Sequence, residues 1–207
     1  MLTTIEPNIL YFGTPVVLIS TLNEDGSANL APMSSAWWLN QSCMLGMSGK
    51  SKTVQNIKRE RECVLNLPSA DLVSQVDRLA LTTGASPVPD YKAEMGYRYE
   101  PDKFGLSGFT QIPSDLVKAP RAGECPVQLE AELVQIHSFE EPSSIAAMEM
   151  KIKRIHIDEE LLMGEKNYIN PDRWNPLIMS FCEFFGLGRK LHPSRLAEPF
   201  MAKNYEK

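Results

Sequence analysis

The chain is poor in the residues that mark metal and thiol chemistry. It has four cysteines and three histidines in 207 residues, and Cys43, Cys63, Cys125 and Cys182 form no C-x-x-C pair. Neither a zinc knuckle nor a thioredoxin-type redox motif is therefore present. His137, His156 and His192 are equally dispersed, and no metal is assigned. Cys63, inside ECVLNL, reads as a small buried hydrophobe. Positive charge is also scarce. Lys and Arg number 21 against 26 Asp and Glu, a net charge of −5, and no basic run exists to track a phosphate backbone, so nucleic acid is excluded as a partner. Long apolar runs are missing too. Val16 to Ile19, the longest near the amino terminus, is too short for a signal peptide or a membrane span, which predicts a soluble, cytoplasmic protein with no membrane partner. The glycine patterns of nucleotide sites, G-x-x-x-x-G-K-[ST] and G-x-G-x-x-G, are absent.

What is there suits one sizeable core. With 43% hydrophobic residues the chain is expected to form a single domain, residues 1–207, with a C-terminal extension from about residue 170. Thr14 to Thr21 is a β-branched run followed by the turn formers Asn23 to Gly26, which predicts a strand entering a hairpin. The return strand, SANLAPMSSAWW, holds a proline and is expected to be irregular near Pro32. Ser42 to Ser48 and Glu62 to Leu67 are further apolar runs, and 125–139 and 146–157 alternate as two longer, paired strands. Thr53 to Glu60 has the spacing of a short amphipathic helix capped by Ser51 or Thr53, and Ala70 to Leu81 that of a second after Ser69. Thr82 to Asp90 is a Gly- and Pro-rich loop, and Trp174 to Leu187 is an aromatic stretch that needs a surface to pack on.

Two constellations carry chemistry. Ser48-Gly49-Lys50-Ser51-Lys52-Thr53 places hydroxyls, lysines and free N–H groups where a strand runs into a helix, the local chemistry of a phosphate site; the alternative is a solvated loop with ordinary caps. Pro32-Met33-Ser34-Ser35-Ala36-Trp37-Trp38 joins small residues, against which a flat ring can lie, to aromatics that can wall it; the alternative is a Trp pair that serves only core or interface.

In order and spacing, several segments resemble the flavin reductase-like, FMN-binding split-barrel family. They are PVVLIST, the Asp25-Gly26 turn, NLAPMSSAWW, Lys52 to Ile57, ECVLNLP, SGFT at 107–110 and GECPVQLEAEL at 123–133. The resemblance covers roughly residues 8 to 140 and implies a mainly β fold with short helices, a split β-barrel binding FMN as a homodimer. It implies ring contacts from Pro32, Met33, Ser34, Ser35, Ala36 and Trp37, with Asn29 and Ala31 just upstream, and phosphate contacts from Ser48, Lys50, Ser51, Lys52 and Thr53. Asn56 is implied to brace the phosphate loop. Many relatives carry an arginine in that loop where this chain has Lys50 and Lys52, so charge without a fixed fork is expected to hold the phosphate. Lys92, Phe104 and His137 are further candidates to reach the flavin, although a structural role is expected for a lone histidine on a strand.

The implied activity is that of an oxidoreductase passing electrons from NAD(P)H through bound FMN to a flavin, ferric iron or a protein acceptor. A flavoredoxin-like electron carrier without its own NAD(P)H turnover is the alternative. A third reading, a scaffold without cofactor, predicts a colourless protein. No Ser-His-Asp set or catalytic carboxylate pair is required, since the cofactor carries the chemistry.

Overall fold

A computed structural model describes residues 1–139, 144–164 and 168–195. Strand is its commonest regular structure. In chain order these are β1 (Phe12–Pro15), β2 (Val17–Leu22), β3 (Ala28–Met33), β4 (Ala36–Leu39), β5 (Ser42–Ser48) and β6 (Glu62–Leu67). The short strands β7 (Thr82–Thr83), β8 (Arg98–Tyr99), β9 (Gln111–Ile112) and β10 (Arg121–Ala122) follow. The long strands β11 (Val127–Phe139) and β12 (Ile145–Ile157) and the hairpin strands β13 (Ile178–Ser180) and β14 (Glu183–Phe185) complete the set. The α-helices are α1 (Lys52–Glu60), α2 (Val73–Asp77), α3 (Asp90–Glu94) and α4 (Lys103–Ser107).

Seven strands form one antiparallel sheet in the order β3-β2-β6-β11-β12-β5-β4. Laid flat, its edge strands would stand about 29 Å apart at the usual interstrand spacing. Only Ser34 and Ser35 connect them, and that link reaches about 11 Å at most. The sheet therefore curls until its edges meet. Because β3 and β4 do not pair with one another, the result is a barrel split along this seam, mainly β with short helices as expected.

Burial follows the two-residue period of a strand. Val17 and Ile19 point into the barrel with Leu45, Cys63, Leu65, Met148 and Met150, while Val16 and Leu18 point outward into a second cluster with Leu72, Val76, Leu79, Phe104 and Leu177. β2 is thus apolar on both faces, which explains its unbroken run. Cys63 is fully buried, and burial pushes its thiol pKa up, as a core position predicts.

β5, β6 and the long β11–β12 pair lie where the sequence places them, and α1 begins one residue before the expected Thr53. The predicted helix over Ala70 to Leu81 is shorter than expected. A 3-10 turn at Ala70–Leu72 leads into α2, Ser69 makes no side-chain cap bond, and the chain leaves the helix through Leu81 at φ +52. The aromatic stretch after Trp174 packs onto β1, which pairs with β13, while Leu177 is fixed by its N–H to the Pro68 carbonyl at 3.0 Å. Among the described residues no helix is long and apolar enough to cross a membrane.

Candidate functional site

The split in the barrel holds a cleft of about 490 Å³, within the roughly 300–1,000 Å³ usual for cofactor and small-molecule sites. One wall is the end of β3 and the connector, Ala31 to Ser35, with Asn29 behind it. Gly46, Met47 and Ser48 of β5 form the base, and Ser51, Lys52 and Thr53 close one end. Leu79 to Gly84, with Tyr91, Lys92, Met95, Tyr97 and Lys103, all from the long excursion between β6 and β11, supply most of the rest of the lining. Tyr11 completes the lining.

Ten of the residues picked out in the sequence share this lining: Asn29, Ala31, Pro32, Met33, Ser34, Ser35, Ser48, Ser51, Lys52 and Thr53. Four do not. Strand alternation in β4 turns Ala36 and Trp38 toward the barrel core and leaves Trp37 57% exposed on the other face. Lys50 is exposed outside the cleft. Asn56 is fully buried on α1 and donates to Thr21 Oγ1 at 3.0 Å and Asn23 Oδ1 at 2.9 Å, which ties the helix to the β2–β3 hairpin. Phe104 belongs to the second core cluster, and His137 lies on β11, 3.4 Å from Glu149 Oε2. Of the three additional candidates, only Lys92 reaches the cleft.

The loop at the closed end is built by capping. Ser51 Oγ accepts the N–H of Val54 at 3.2 Å, so α1 begins beside the cleft with its dipole's positive end there. Lys52 is held away from free rotation by Glu24, 2.5 Å from Oε2, and that contact is the main reason the Glu24 carboxyl lies below the ordinary range. Asn29 donates to Thr53 Oγ1 at 3.3 Å and, more weakly, to Thr21 Oγ1 at 3.4 Å. Among the described residues its buried Oδ1 meets no hydrogen-bond partner, nor does the buried hydroxyl of Tyr91. Both residues line the cleft. Gly84 lies against Asn29 so closely that a Cβ there would stand 2.6 Å from Oδ1.

The charges in the lining are all positive. Lys52, Lys92 and Lys103 face no lining carboxylate. Lys103 is 4% exposed and makes no ion pair among the described residues. Burial pushes its ammonium pKa down to about 8, with Lys92 adding to the shift and Glu100 opposing it. Burial lowers Lys92 as well, and its Nζ donates to Thr83 Oγ1 at 3.3 Å beside the Tyr97 ring. Such cations in a cleft with unpartnered polar atoms are matched to an anionic, hydroxyl-bearing ligand.

Sequence reading missed Tyr11, Gly46, Met47, Leu79 to Gly84, Tyr91, Met95, Tyr97 and Lys103. Nothing in the sequence around Tyr11 or Lys103 marks them as cleft residues.

The family model described as flavin reductase like domain matches residues 9–172. The Bacillus subtilis protein YdfE is 41% identical over 187 residues, covering 90% of each chain. Among solved structures, the flavoredoxin of Desulfovibrio vulgaris (Miyazaki F) superposes with a TM-score of 0.78 at 20% identity, over 96% of this chain and all of that one. Nitrilotriacetate monooxygenase component B from Bacillus cereus gives 0.72 at 17% identity, over 93% and 99%. With most of its length matched in this way, the chain belongs to the flavin reductase-like family.

Proposed function

We propose that the cleft holds FMN and that the chain is a cytoplasmic oxidoreductase taking reducing equivalents from NADH or NADPH. The acceptor is a free flavin, ferric iron or a partner protein. The observation that carries this reading is the buried Lys103, without an ion pair among the described residues, in a cleft lined by no acids and by a hydroxyl-rich helix start. A phosphate answers both. Ser48, Ser51, Thr53 and the first N–H groups of α1 donate to it, and Lys52, Lys92 and Lys103 supply the charge that Lys50, outside the cleft, does not. Asn29 Oδ1, an acceptor without a donor, takes a hydroxyl of the ribityl chain. Pro32 to Ser35 present a small-residue wall to the ring. Bound flavin supplies the hydride and electron chemistry, and the residues here bind, orient and exclude water.

Trp37 at 57% and Leu39 at 66% exposure project from the edge strand β4 on the face away from the core. An exposed apolar edge of this kind favours a second copy as its cover, and we read the working form as a homodimer. In that form Trp37 serves the interface, and Asn56 braces the loop.

Anaerobic titration of the FMN-loaded protein with NADH and with NADPH, followed at the oxidised-flavin band near ~450 nm, tests the reading. Rapid bleaching by either nucleotide supports a reductase. Flavin that binds but stays yellow supports the electron carrier instead, and a chain that takes up no FMN overturns both.

A further inference from the structure

Tyr11 lies outside every stretch of the sequence that points to a ligand, yet its side chain lines the cleft. Its hydroxyl is 2.8 Å from Ser35 Oγ. Its backbone is fixed by the C-terminal hairpin. The Phe181 N–H donates to the Tyr11 carbonyl at 2.9 Å, Phe12 pairs with Ser180, and the Phe12 and Phe181 rings meet edge to face at 4.8 Å. Ser35 is held from the other side. Its carbonyl accepts the Gly46 N–H at 2.8 Å, and the β5 backbone is so near that a Cβ on Gly46 would stand 3.2 Å from Ser35 Cβ. The Ser35 side chain thus has one fixed base and one fixed partner, and that partner is delivered by a segment some 170 residues downstream.

We infer that Tyr11 is a positioning residue that aims the Ser35 hydroxyl proton into the cleft, where it tunes the electron affinity of the bound flavin ring. The inference rests on the reading of the cleft as a flavin site. A phenol is a stronger acid than an alkyl hydroxyl and the better donor of the two, so Tyr11 donates to Ser35 Oγ. Ser35 Oγ, already accepting, has its own proton free, and a hydroxyl that accepts one hydrogen bond donates a second more strongly. A donor held against the ring favours the more electron-rich, reduced state. The hairpin after Trp174, which has no chemistry of its own, acts on the site through this contact.

The test compares flavin-loaded wild type with Tyr11→Phe, Ser35→Ala, Ser35→Thr and the double variant Tyr11→Phe/Ser35→Ala. Each is equilibrated with a reference dye of known potential. In Tyr11→Phe and in Ser35→Ala the ratio of reduced to oxidised flavin falls about tenfold at fixed potential, equivalent to about 30 mV for a two-electron couple. Ser35→Thr keeps the hydroxyl and stays near wild type. The double variant shifts no further than either single change, because both remove the same donor. Loaded proteins of equal potential, or effects that add in the double variant, overturn the inference alone. Ser35→Ala tests it independently of any part Tyr11 plays in folding. A wild-type chain that takes up no flavin overturns the reading of the cleft and this inference with it.

Discussion

Two charged side chains are buried among the described residues, and the fold treats them in opposite ways. Glu130, on β11, is fully buried and has every oxygen occupied. Oε1 accepts the Asp115 N–H at 2.9 Å and faces His156 Nε2 at 2.6 Å, while Oε2 accepts from Leu116 at 2.6 Å and Val117 at 3.2 Å. Burial alone would raise its pKa, but these hydrogen bonds outweigh that cost and hold the carboxyl below its ordinary value. Asp115, Glu130 and His156 present ligand atoms within 4.8 Å of one another, as a metal site would, yet the backbone already takes up the Glu130 oxygens. Lys103 is as deeply placed and has no such company. A charge that its own chain satisfies is a clamp, here holding the loop around 114–119. A charge without an ion pair in the lining of a cleft is matched to an anion from outside.

The contrast can be broken from either side. The largest effect is expected at Glu130. Glu130→Ala takes the acceptor from His156 and from three N–H groups, of which only that of Val117 lies on a buried residue, at about 1–3 kcal/mol for a buried group left unpaired, and it empties a fully buried site, so stability should fall by roughly 3 kcal/mol. Urea denaturation reads this as a lower midpoint, while flavin affinity of the folded protein is unchanged. Lys103→Met should do the reverse. Removing an ammonium whose pKa is lowered from 10.5 to about 8 raises the stability of the ligand-free protein by up to about 3 kcal/mol at neutral pH. FMN affinity should drop at least tenfold, while riboflavin, which lacks the phosphate, binds within about twofold of wild type.

The same two groups give opposite pH signatures. For Lys103 the folded pKa lies below the unfolded one, so its penalty is complete below about pH 8 and fades between there and 10.5. The stability gap between Lys103→Met and wild type should narrow over that window, and FMN affinity should weaken as pH rises above about 8. Calorimetry at several pH values checks both. The Glu130 contribution is complete above the unfolded value of 4.5 and is lost as pH falls through its lower folded value, so the Glu130→Ala deficit should shrink in acid. The smallest effect is expected for Gly84→Ala, where the new methyl must displace Asn29 Oδ1. FMN affinity should weaken by several-fold, with a stability loss of about 1 kcal/mol, read by fluorescence titration and thermal unfolding.

Elements whose physics is local were legible in the sequence. Ser42 to Ser48 and Glu62 to Leu67 announce themselves by apolar runs, and α1 by a serine at its cap. Family resemblance located β3 and the loop before α1 but did not register the alternation that turns Ala36 and Trp37 away from the cleft, since one residue's step along a strand reverses the face. The predicted helix over Ala70 to Leu81 failed where function begins. The chain unwinds after Asp77, Leu81 takes a left-handed φ, and the freed backbone from Leu79 to Gly84 becomes a wall of the cleft. Lys103 and Tyr11 were not legible because nothing near them in sequence tells of Asn29 or Ser35. Barrel closure and the C-terminal hairpin bring them there.

The two-residue link between β3 and β4 has a consequence for rate as well as for shape. Ser34 and Ser35 both bridge the seam and wall the cleft, so this wall cannot shift far without pulling β3 from β2 or β4 from β5. A flavin bound there, as proposed, would meet nearly the same surroundings before and after each electron arrived, so that little nuclear rearrangement would accompany the transfer and driving force and distance would govern its rate.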